Sequence, residues 1–280
     1  MAYIFEGQPG PAMAIPAGAT DTHMHFYEPG HAMAPDATIP PLEDARVDDY
    51  RKLQARLGLE RVVVVQPSTY GKDNACTMPA VAAIGANGRA VVVVDQSASD
   101  EELASLTRAG ARGIRFHMLP GGALPWEVVP ELSARTAEHG WHAQLQLDGR
   151  DLADRLGDIN RIAGDLVIDH VGRFFEPVGT GHPGFQALLG LVQKGAWVKL
   201  SAPYLTEEDG APAFHKVGAL VRALVAEAPE RMLWASNWPH PGIDPRPDDA
   251  MLLDSIGHWI EDEAVIKRIL VDNPAQLYGF

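Results

Sequence analysis

Short β-branched runs alternate with longer amphipathic segments along the whole chain, and this alternation constrains the fold more than any other feature. Residues 62–65 and 91–94 are each four consecutive valines, as expected for parallel strands that are covered on both faces. The predicted strands are residues 19–26, 61–66, 89–95, 113–117, 141–147, 166–170, 197–201 and 232–236.

Amphipathic segments fill the gaps between these runs, and two of them end just before a glycine, Gly58 or Gly110, which suits a helix end. Repeated strand–helix units predict a single (β/α)₈ TIM barrel over residues 1–280, with residues 1–14 as an N-terminal extension. A doubly wound open sheet is the alternative, but the first strand is not followed by a Gly-rich phosphate loop. The predicted helices are residues 48–57, 100–109, 127–138, 185–193, 212–226 and 261–270.

The chain is acidic: 37 Asp and Glu residues against 23 Lys and Arg residues give a formal net charge of −14. This charge disfavours nucleic acids and anionic membranes as partners, although local arginines can still bind a small anion. Cys76 is the single cysteine, which excludes an internal disulfide and fits a reducing compartment. No signal peptide or membrane span is apparent, so a cytoplasmic location is expected, with a homo-oligomer left open.

Side chains at the carboxyl ends of barrel strands face the catalytic mouth, and the first strand ends in Asp21-Thr22-His23-Met24-His25. His23 and His25 alternate, so their side chains point to the same face. Two neighbouring imidazoles either bind a metal ion or donate hydrogen bonds to a substrate carbonyl.

Polar residues follow the second strand after Pro67, which ends it. Ser68, Tyr70 and Asn74 are interpreted as donors to a substrate carboxylate or hydroxyl. The alternative is that they only form a turn.

Strands four and five end in Arg115-Phe116-His117 and Gln144-Leu145-Gln146. An arginine within an apolar strand is costly unless it is paired, and in a barrel the natural partner is a ligand carboxylate. A structural ion pair is the alternative for Arg115. His117 and Gln146 lie at the same strand ends and are also candidates for substrate binding.

The last three strands are followed by further candidates, namely His170, Arg173, Tyr204, Asn237 and His240. A histidine just beyond an apolar run, followed by Gly and Arg, is typical of a barrel mouth, although a core histidine is the alternative. The remaining histidines are interpreted as surface or structural residues: His31, His139, His142, His182, His215 and His258.

Taken together, these strand ends resemble the amidohydrolase-related lactonases, a group that includes 2-pyrone-4,6-dicarboxylate lactonase, L-fuconolactonase and D-galactarolactone isomerase. The resemblance covers residues 15–280 and implies a distorted (β/α)₈ barrel that acts on the lactone of a sugar acid or aromatic breakdown product. The motifs that carry it are Asp21-Thr22-His23-Met24-His25, Val65-Gln66-Pro67-Ser68, Asp169-His170-Val171-Gly172-Arg173 and Trp234-Ala235-Ser236-Asn237-Trp238-Pro239-His240.

The wider superfamily binds a divalent metal with two histidines of strand one, a Lys or Glu of strand four, a His of strand five and an Asp of strand eight. This chain has Arg115, Gln146 and Asn237 at the last three places. The resemblance therefore implies a metal-independent site with no cofactor. If a metal does bind, His23 and His25 are its expected ligands.

By the pattern of the metal-independent lactonase, His23, His25 and His170 would polarise the lactone carbonyl. Arg115 and Arg173 would hold a substrate carboxylate. The substrate implied is a small anionic lactone. Tyr204 would help to orient its hydroxyl groups.

Asn237 stands where the lactonases have an Asp that activates the hydrolytic water, and an amide cannot take that proton at neutral pH. The galactarolactone isomerases resemble this chain in their Asn-Trp-Pro-His segment, which favours isomerisation over hydrolysis. His117 or His240 is the alternative base, and it would restore hydrolysis.

Two other functions are considered. One is a metal-dependent hydrolase or decarboxylase using Zn²⁺ or Mn²⁺, as in related barrels. The other is a non-catalytic barrel that binds sugar acids, which Asn237 favours and the retained histidine and arginine cluster disfavours.

Overall fold

The computed structural model describes residues 7–43 and 45–280, and its centre is one sheet of eight parallel strands in consecutive order. The last strand lies beside the first: the His25 amide donates to the Trp238 carbonyl at 2.8 Å, and the Asn237 amide to the His23 carbonyl at 2.9 Å. This nearly closed barrel confirms the predicted fold class and excludes the open sheet. The strands are β1 Thr20–Met24, β2 Arg61–Val65, β3 Gly88–Val92, β4 Ala111–His117, β5 His142–Gln146, β6 Leu166–Ile168, β7 Trp197–Ser201 and β8 Met232–Ala235.

Each strand buries both faces, which explains the unbroken valine runs. In β2, Val62 and Val64 pack in the large core between the barrel and its helices. Val63 and Val65 point inward to a smaller cluster, which Tyr278 closes at the amino end of the barrel. Full burial of each such valine contributes about 1.5–3 kcal/mol relative to exposure.

Helices cover the outside of the barrel and connect successive strands. Helix α1 ends at Gly58, as the sequence predicts, with a left-handed φ of 71°. The helices are α1 Val47–Leu57, α2 Thr77–Ile84, α3 Asp100–Arg108, α4 Val129–Ala137, α5 Leu152–Ile159, α6 Pro183–Gln193, α7 His215–Glu227, α8 Asp249–Trp259, α9 Glu263–Lys267 and α10 Asn273–Tyr278.

The predicted helix set was incomplete: α2, α5, α8 and α10 were missed. The sequence of α2, TMPAVAAI, is apolar on most sides, so it lacks the polar stripe on which the prediction depended. The predicted helix at 261–270 is also wrong in extent. A wider π-helical turn, Arg268–Asp272, follows α9. Pro274 cannot donate to the carbonyl four residues earlier and its ring would clash there, which accounts for the wider turn.

Residues 1–6 of the predicted N-terminal extension lie outside the described residues. The following segment is held against the helical layer, because the amides of Ala12 and Met13 donate to the Asp254 carboxylate at 2.9 and 3.0 Å. Arg56 also donates to the Pro9 carbonyl. Within the described ranges, no helix combines the length and apolarity that crossing a bilayer requires.

Candidate active site

A cavity of about 260 Å³ opens at the carboxyl ends of the strands, where a barrel of this type places its chemistry. Among residues 7–43 and 45–280, none of the residues that line it is an Asp or a Glu. The predicted site residues that line it are His25, Ser68, Arg115, His117, Gln146, His170, Arg173 and Asn237.

Tyr70 and Asn74, like Tyr204, do not line this cavity, although all three are predicted substrate-binding residues. The Asn74 amide joins the loop after β2 to the end of β3, donating to the Val93 carbonyl at 2.7 Å and accepting from the Val93 amide at 3.1 Å. The Tyr70 hydroxyl donates to the Glu28 carbonyl at 3.3 Å. For these two residues the geometry matches the turn alternative, because their polar groups are already used locally.

His23 and His25 form a buried pair whose proton positions follow from their partners. His25 Nδ1 lies 2.8 Å from the Val65 carbonyl oxygen, which only accepts, so this nitrogen carries a proton. Burial, followed by the charge of Arg115, lowers the pKa of His25 to about 3, so the ring is neutral and its Nε2 is an acceptor. The two Nε2 atoms lie 3.2 Å apart, and a proton on His23 Nε2 joins them. In this tautomer His23 Nδ1 accepts from Gln144 at 3.3 Å or Lys199 at 3.4 Å, and its 3.2 Å contact with Asp169 Oδ1 contains no hydrogen.

Beneath His23 lies a fully buried ammonium group, that of Lys199 from β7. Its Nζ donates to the Gln144 Oε1 at 2.6 Å and to the Thr22 carbonyl at 2.8 Å, and it lies 3.4 Å from His23 Nδ1. Asp169 Oδ1 is 3.7 Å away and balances the charge. Burial lowers the pKa of Lys199 to about 8, and the attraction of Asp169 opposes this shift.

We call this set the lysine network: Lys199, Gln144, Asp169, His23 and His25. Sequence reasoning missed Lys199 and Gln144 and gave Asp169 no role. The sequence does indicate a role for Lys199, because burying a lysine in the apolar strand WVKLS costs free energy just as burying the arginine of β4 does.

The residues around His23 do not suit a divalent metal ion. Ligand atoms of His23, Asp169 and His170 lie within 4.8 Å of one another. However, the Lys199 ammonium lies 3.7 Å from Asp169 Oδ1 and already neutralises this carboxylate. A dication here would meet an additional fixed positive charge, which is unfavourable in a buried site.

Tight turns after the last strands aim polar side chains at the cavity. The predicted strand six is shorter in the structure, and His170, at a φ of 53°, begins a turn in which Val171 and Arg173 also have positive φ. Such conformations in residues other than glycine are strained and concentrate at functional sites. His170 Nδ1 lies 2.8 Å from the Ser201 hydroxyl, and burial lowers the pKa of His170 well below its usual value.

Arg115 has no carboxylate partner within hydrogen-bond distance in the described part of the chain, so a structural ion pair is not formed there. Its guanidinium donates to two neutral oxygens, the Gln66 carbonyl and Gln146 Oε1, both at 2.8 Å. Its Nε, which is buried, makes no hydrogen bond. The side chain is only 5% exposed, so a poorly hydrated positive charge faces the cavity.

Arg173 supplies a second positive charge to the cavity wall. One of its nitrogens donates to the Leu205 carbonyl at 2.7 Å, and the guanidinium lies over the Phe175 ring at 4.2 Å. The contacts fix the plane of the guanidinium and leave further N–H groups for a ligand.

On the β8 side, Asn237 is part of a chain of hydrogen bonds. Its Nδ2 donates to the Tyr204 hydroxyl at 3.0 Å, and that hydroxyl lies 2.7 Å from His240 Nδ1. His240 Nε2 lies 3.1 Å from the Asp249 carboxylate. His240 is fully buried and does not line the cavity, so its predicted role as a base in contact with substrate does not match its position.

Asp21, the first residue of the strand-one motif, joins β1 to β8. Its carboxylate accepts from the backbone amides of His23 and Ser236 and from the hydroxyls of Ser236 and Tyr50. Burial raises the pKa of Asp21 to about 6, against these hydrogen bonds. Its role is to hold the strand ends on which His23 and Asn237 lie.

Comparison with known proteins places the chain among relatives that span nearly its whole length. It is 36% identical to the D-galactarolactone isomerase of Agrobacterium fabrum, over 96% of this chain and 93% of that protein. It is 33% identical to the 2-pyrone-4,6-dicarboxylate hydrolase of Comamonas testosteroni, over 96% of this chain and 92% of that protein.

A solved structure gives the same result for the fold. The apo crystal structure of an Agrobacterium tumefaciens protein superposes with a TM-score of 0.92, at 36% identity and with 97% of both chains covered. A family model described as Amidohydrolase matches residues 20–280. The chain therefore belongs to the amidohydrolase family.

Proposed function

We propose that this protein is a metal-independent acyl-transfer enzyme that acts on a carboxylated lactone, and that it isomerises the lactone in preference to hydrolysing it. The observation that carries the proposal is the lining of the cavity, which has two guanidinium groups and two side-chain amides but, among the described residues, no carboxylate. Two relatives whose names denote a lactone isomerase and a hydrolase of a pyrone dicarboxylate support the same substrate class.

Arg115 and Arg173 bind the substrate carboxylate. Both retain N–H groups that protein acceptors do not use, and a guanidinium fork matches the two oxygens of a carboxylate. The low exposure of Arg115 strengthens the attraction, because little water competes for the charge.

His170 polarises the lactone carbonyl. When its Nδ1 accepts from the Ser201 hydroxyl, its Nε2–H is free to donate to the oxyanion that develops as the acyl carbon is attacked. Neutral His25 has no N–H left for the substrate, because its Nδ1–H is bonded to the Val65 carbonyl. His23 and His25 therefore shape the site and its hydrogen bonds, and His170 provides the donor to the lactone carbonyl.

A hydroxyl group of the substrate attacks the acyl carbon in place of water. The new C–O bond forms as the ring C–O bond breaks, and the proton of the attacking hydroxyl passes to the departing oxygen, so the formula is unchanged. The hydroxyl becomes acidic as its bond to the acyl carbon forms, and only then does its proton pass to the cavity imidazole of His117, which delivers it to the departing oxygen. Burial, followed by the charge of Arg115, lowers the pKa of His117 to about 4, which keeps it unprotonated at neutral pH.

A panel of aldarate, aldonate and pyrone lactones, followed by ¹³C NMR, tests the proposal. We expect a carboxylated lactone to change ring size while its acyl carbon remains an ester. Appearance of the open-chain diacid as the first product would favour hydrolysis instead. Thermal stabilisation by lactones without any turnover would favour the non-catalytic barrel.

A further inference from the structure

We propose that Asp249, His240 and Tyr204 form a positioning relay that turns the carbonyl oxygen of the Asn237 amide toward the cavity, where it accepts a hydrogen bond from the attacking hydroxyl. We call these four residues the aspartate relay. The role of the attacking hydroxyl rests on the proposed function, whereas the direction of the hydrogen bonds does not.

The direction of the relay follows from its buried end. An ionised carboxylate only accepts, so His240 Nε2, 3.1 Å from Asp249 Oδ1, carries a proton. When the ring carries this one proton, Nδ1 is an acceptor, and the Tyr204 hydroxyl at 2.7 Å donates to it. The Tyr204 oxygen is left to accept, which it does from Asn237 Nδ2 at 3.0 Å.

Burial protects the hydrogen bonds of the relay and keeps its phenol protonated. Asp249 and His240 are fully buried, so bulk water does not compete for their hydrogen bonds. Burial raises the pKa of Tyr204 well above its usual value, which keeps the phenol protonated and able to donate. None of Asp249, His240 and Tyr204 lines the cavity, so they act through Asn237 as positioning residues.

The relay decides which end of the Asn237 amide meets the substrate. With Nδ2 held by Tyr204, the amide presents Oδ1, and none of the described residues donates to this oxygen. Asn237 lines the cavity at a φ of 62°, so its backbone is also fixed. An acceptor at this place requires a donor on the ligand. The geometry therefore favours a lactone with a free hydroxyl near its acyl carbon, as in sugar acids, over a flat pyrone without one.

The test is Asp249→Asn, which keeps the shape of the side chain and lets it donate. If the new amide at position 249 donates to His240, every hydrogen bond of the relay changes direction. His240 then carries its proton on Nδ1, and the Asn237 amide rotates to present Nδ2 to the cavity. We expect the ¹⁵N NMR signature of His240, assigned with His240→Gln, to change from the Nε2–H to the Nδ1–H tautomer. We expect kcat to fall about 100-fold with little change in KM, because the nucleophile loses its alignment.

Asp262→Asn is the matched control, since Asp262 also stands at a helix start, where it accepts from the Ala264 amide at 2.8 Å. It should leave the His240 signature and kcat unchanged. A wild-type His240 that carries its proton on Nδ1 instead of Nε2, or an unchanged kcat in Asp249→Asn, would overturn the relay.

A second variant keeps the proposal testable if Asp249→Asn does not fold. Tyr204→Phe removes the hydroxyl that links Asn237 to His240, and kcat should fall by about tenfold or more while KM changes little. Tyr278→Phe removes a buried hydroxyl at the opposite end of the barrel and should keep full activity. Equal kcat values in the two variants would contradict the relay.

The proposed function and the relay can be tested separately. If the wild-type protein turns over no lactone, the proposed function is wrong. The Nε2–H tautomer of His240 and its reversal in Asp249→Asn would still establish the relay.

Discussion

The lysine network lies inside the barrel around His23, and the aspartate relay lies in the segments that follow β7 and β8. Each begins at a buried ionisable side chain. Lys199 can only donate, and the chain of hydrogen bonds above it passes through His23 and His25 to the Val65 carbonyl. Asp249 can only accept, and its chain ends at Asn237 in the cavity. The first series of hydrogen bonds ends at a backbone carbonyl, and we call it closed. The second ends at a side chain that faces the ligand cavity, and we call it open.

The difference shows that buried hydrogen-bond networks can serve two purposes. A closed network satisfies its own donors and acceptors, so its main effect is on the stability and shape of the site. An open network leaves one unsatisfied atom, and the charged group at its far end decides whether that atom donates or accepts. The histidines of the strand-one motif belong to the closed chain, whereas the nucleophile is aligned by the open one.

Breaking the closed network should have the largest effect on stability. In Lys199→Met, the buried Asp169 carboxylate loses its counter-charge, and we expect a loss of about 3–5 kcal/mol in the free energy of unfolding. Urea denaturation measures this value. Lys194→Met, at the exposed end of α6, is the control and should stay within about 0.5 kcal/mol of wild type. A loss as small as that of the control would mean that the network does not stabilise the barrel.

Replacing Arg115, which belongs to neither network, should mainly affect substrate binding. Arg115→Lys keeps the charge but loses the planar fork. We expect KM to rise by about 10- to 100-fold, because a hydrogen bond to a charged group contributes about 1.5–3 kcal/mol. Steady-state kinetics measure the change, and Arg112→Lys, near the amino end of β4, should leave KM unaltered. An unchanged KM in Arg115→Lys would remove Arg115 from carboxylate binding.

A buried histidine outside both networks gives a pH test. Burial, followed by the charge of Lys199, lowers the pKa of His142 from 6.5 to about 3. The unfolded chain therefore binds a proton that the folded state does not, so this group makes stability fall as the pH drops below 6.5. Between pH 7 and pH 5 the loss from this group is about 2 kcal/mol.

His142→Gln should remove that loss, so the difference in unfolding free energy between pH 7 and pH 5 becomes smaller than in wild type. Denaturation curves at the two pH values provide the measurement. An identical pH dependence in the two proteins would show that His142 is not held neutral. His139→Gln is the control, because His139 lies beyond the end of α4.

Treatment with a metal chelator should have no effect on activity. If the two Nε2 atoms of His23 and His25 share a proton, protein purified without chelator should contain little zinc, and EDTA should leave kcat unchanged. Stoichiometric zinc, or loss of activity that zinc restores, would mean that these nitrogens bind a metal ion and that the closed network is misassigned.

Much of the barrel could be predicted from the sequence, because parallel strands buried on both faces leave long apolar runs such as 62–65. Of the missed helices, α2 lacks a clear polar stripe, whereas α5 has one but spans only residues Leu152–Ile159. Strand ends also predicted where chemistry would lie, since consecutive parallel strands bring their carboxyl ends together.

The partners of the site residues were harder to predict. Tyr70 and Asn74 follow a strand end as closely as Ser68 does, and only the path of the loop turns them away from the cavity. Asp249 lies in the first turn of α8, and nothing local indicates that it approaches His240. Contacts of this kind depend on how loops from different strands pack, which periodicity does not record.

The central claim is that the aspartate relay, which ends at the amide of Asn237, makes a substrate hydroxyl the nucleophile in place of water. Turnover in H₂¹⁸O, followed by mass spectrometry of the product, tests it most directly when wild type is compared with Asn237→Asp. We predict that the wild-type product carries no ¹⁸O, and that Asn237→Asp yields an open-chain acid with one ¹⁸O in its carboxylate. One ¹⁸O in the first wild-type product, unchanged by the substitution, would contradict the account.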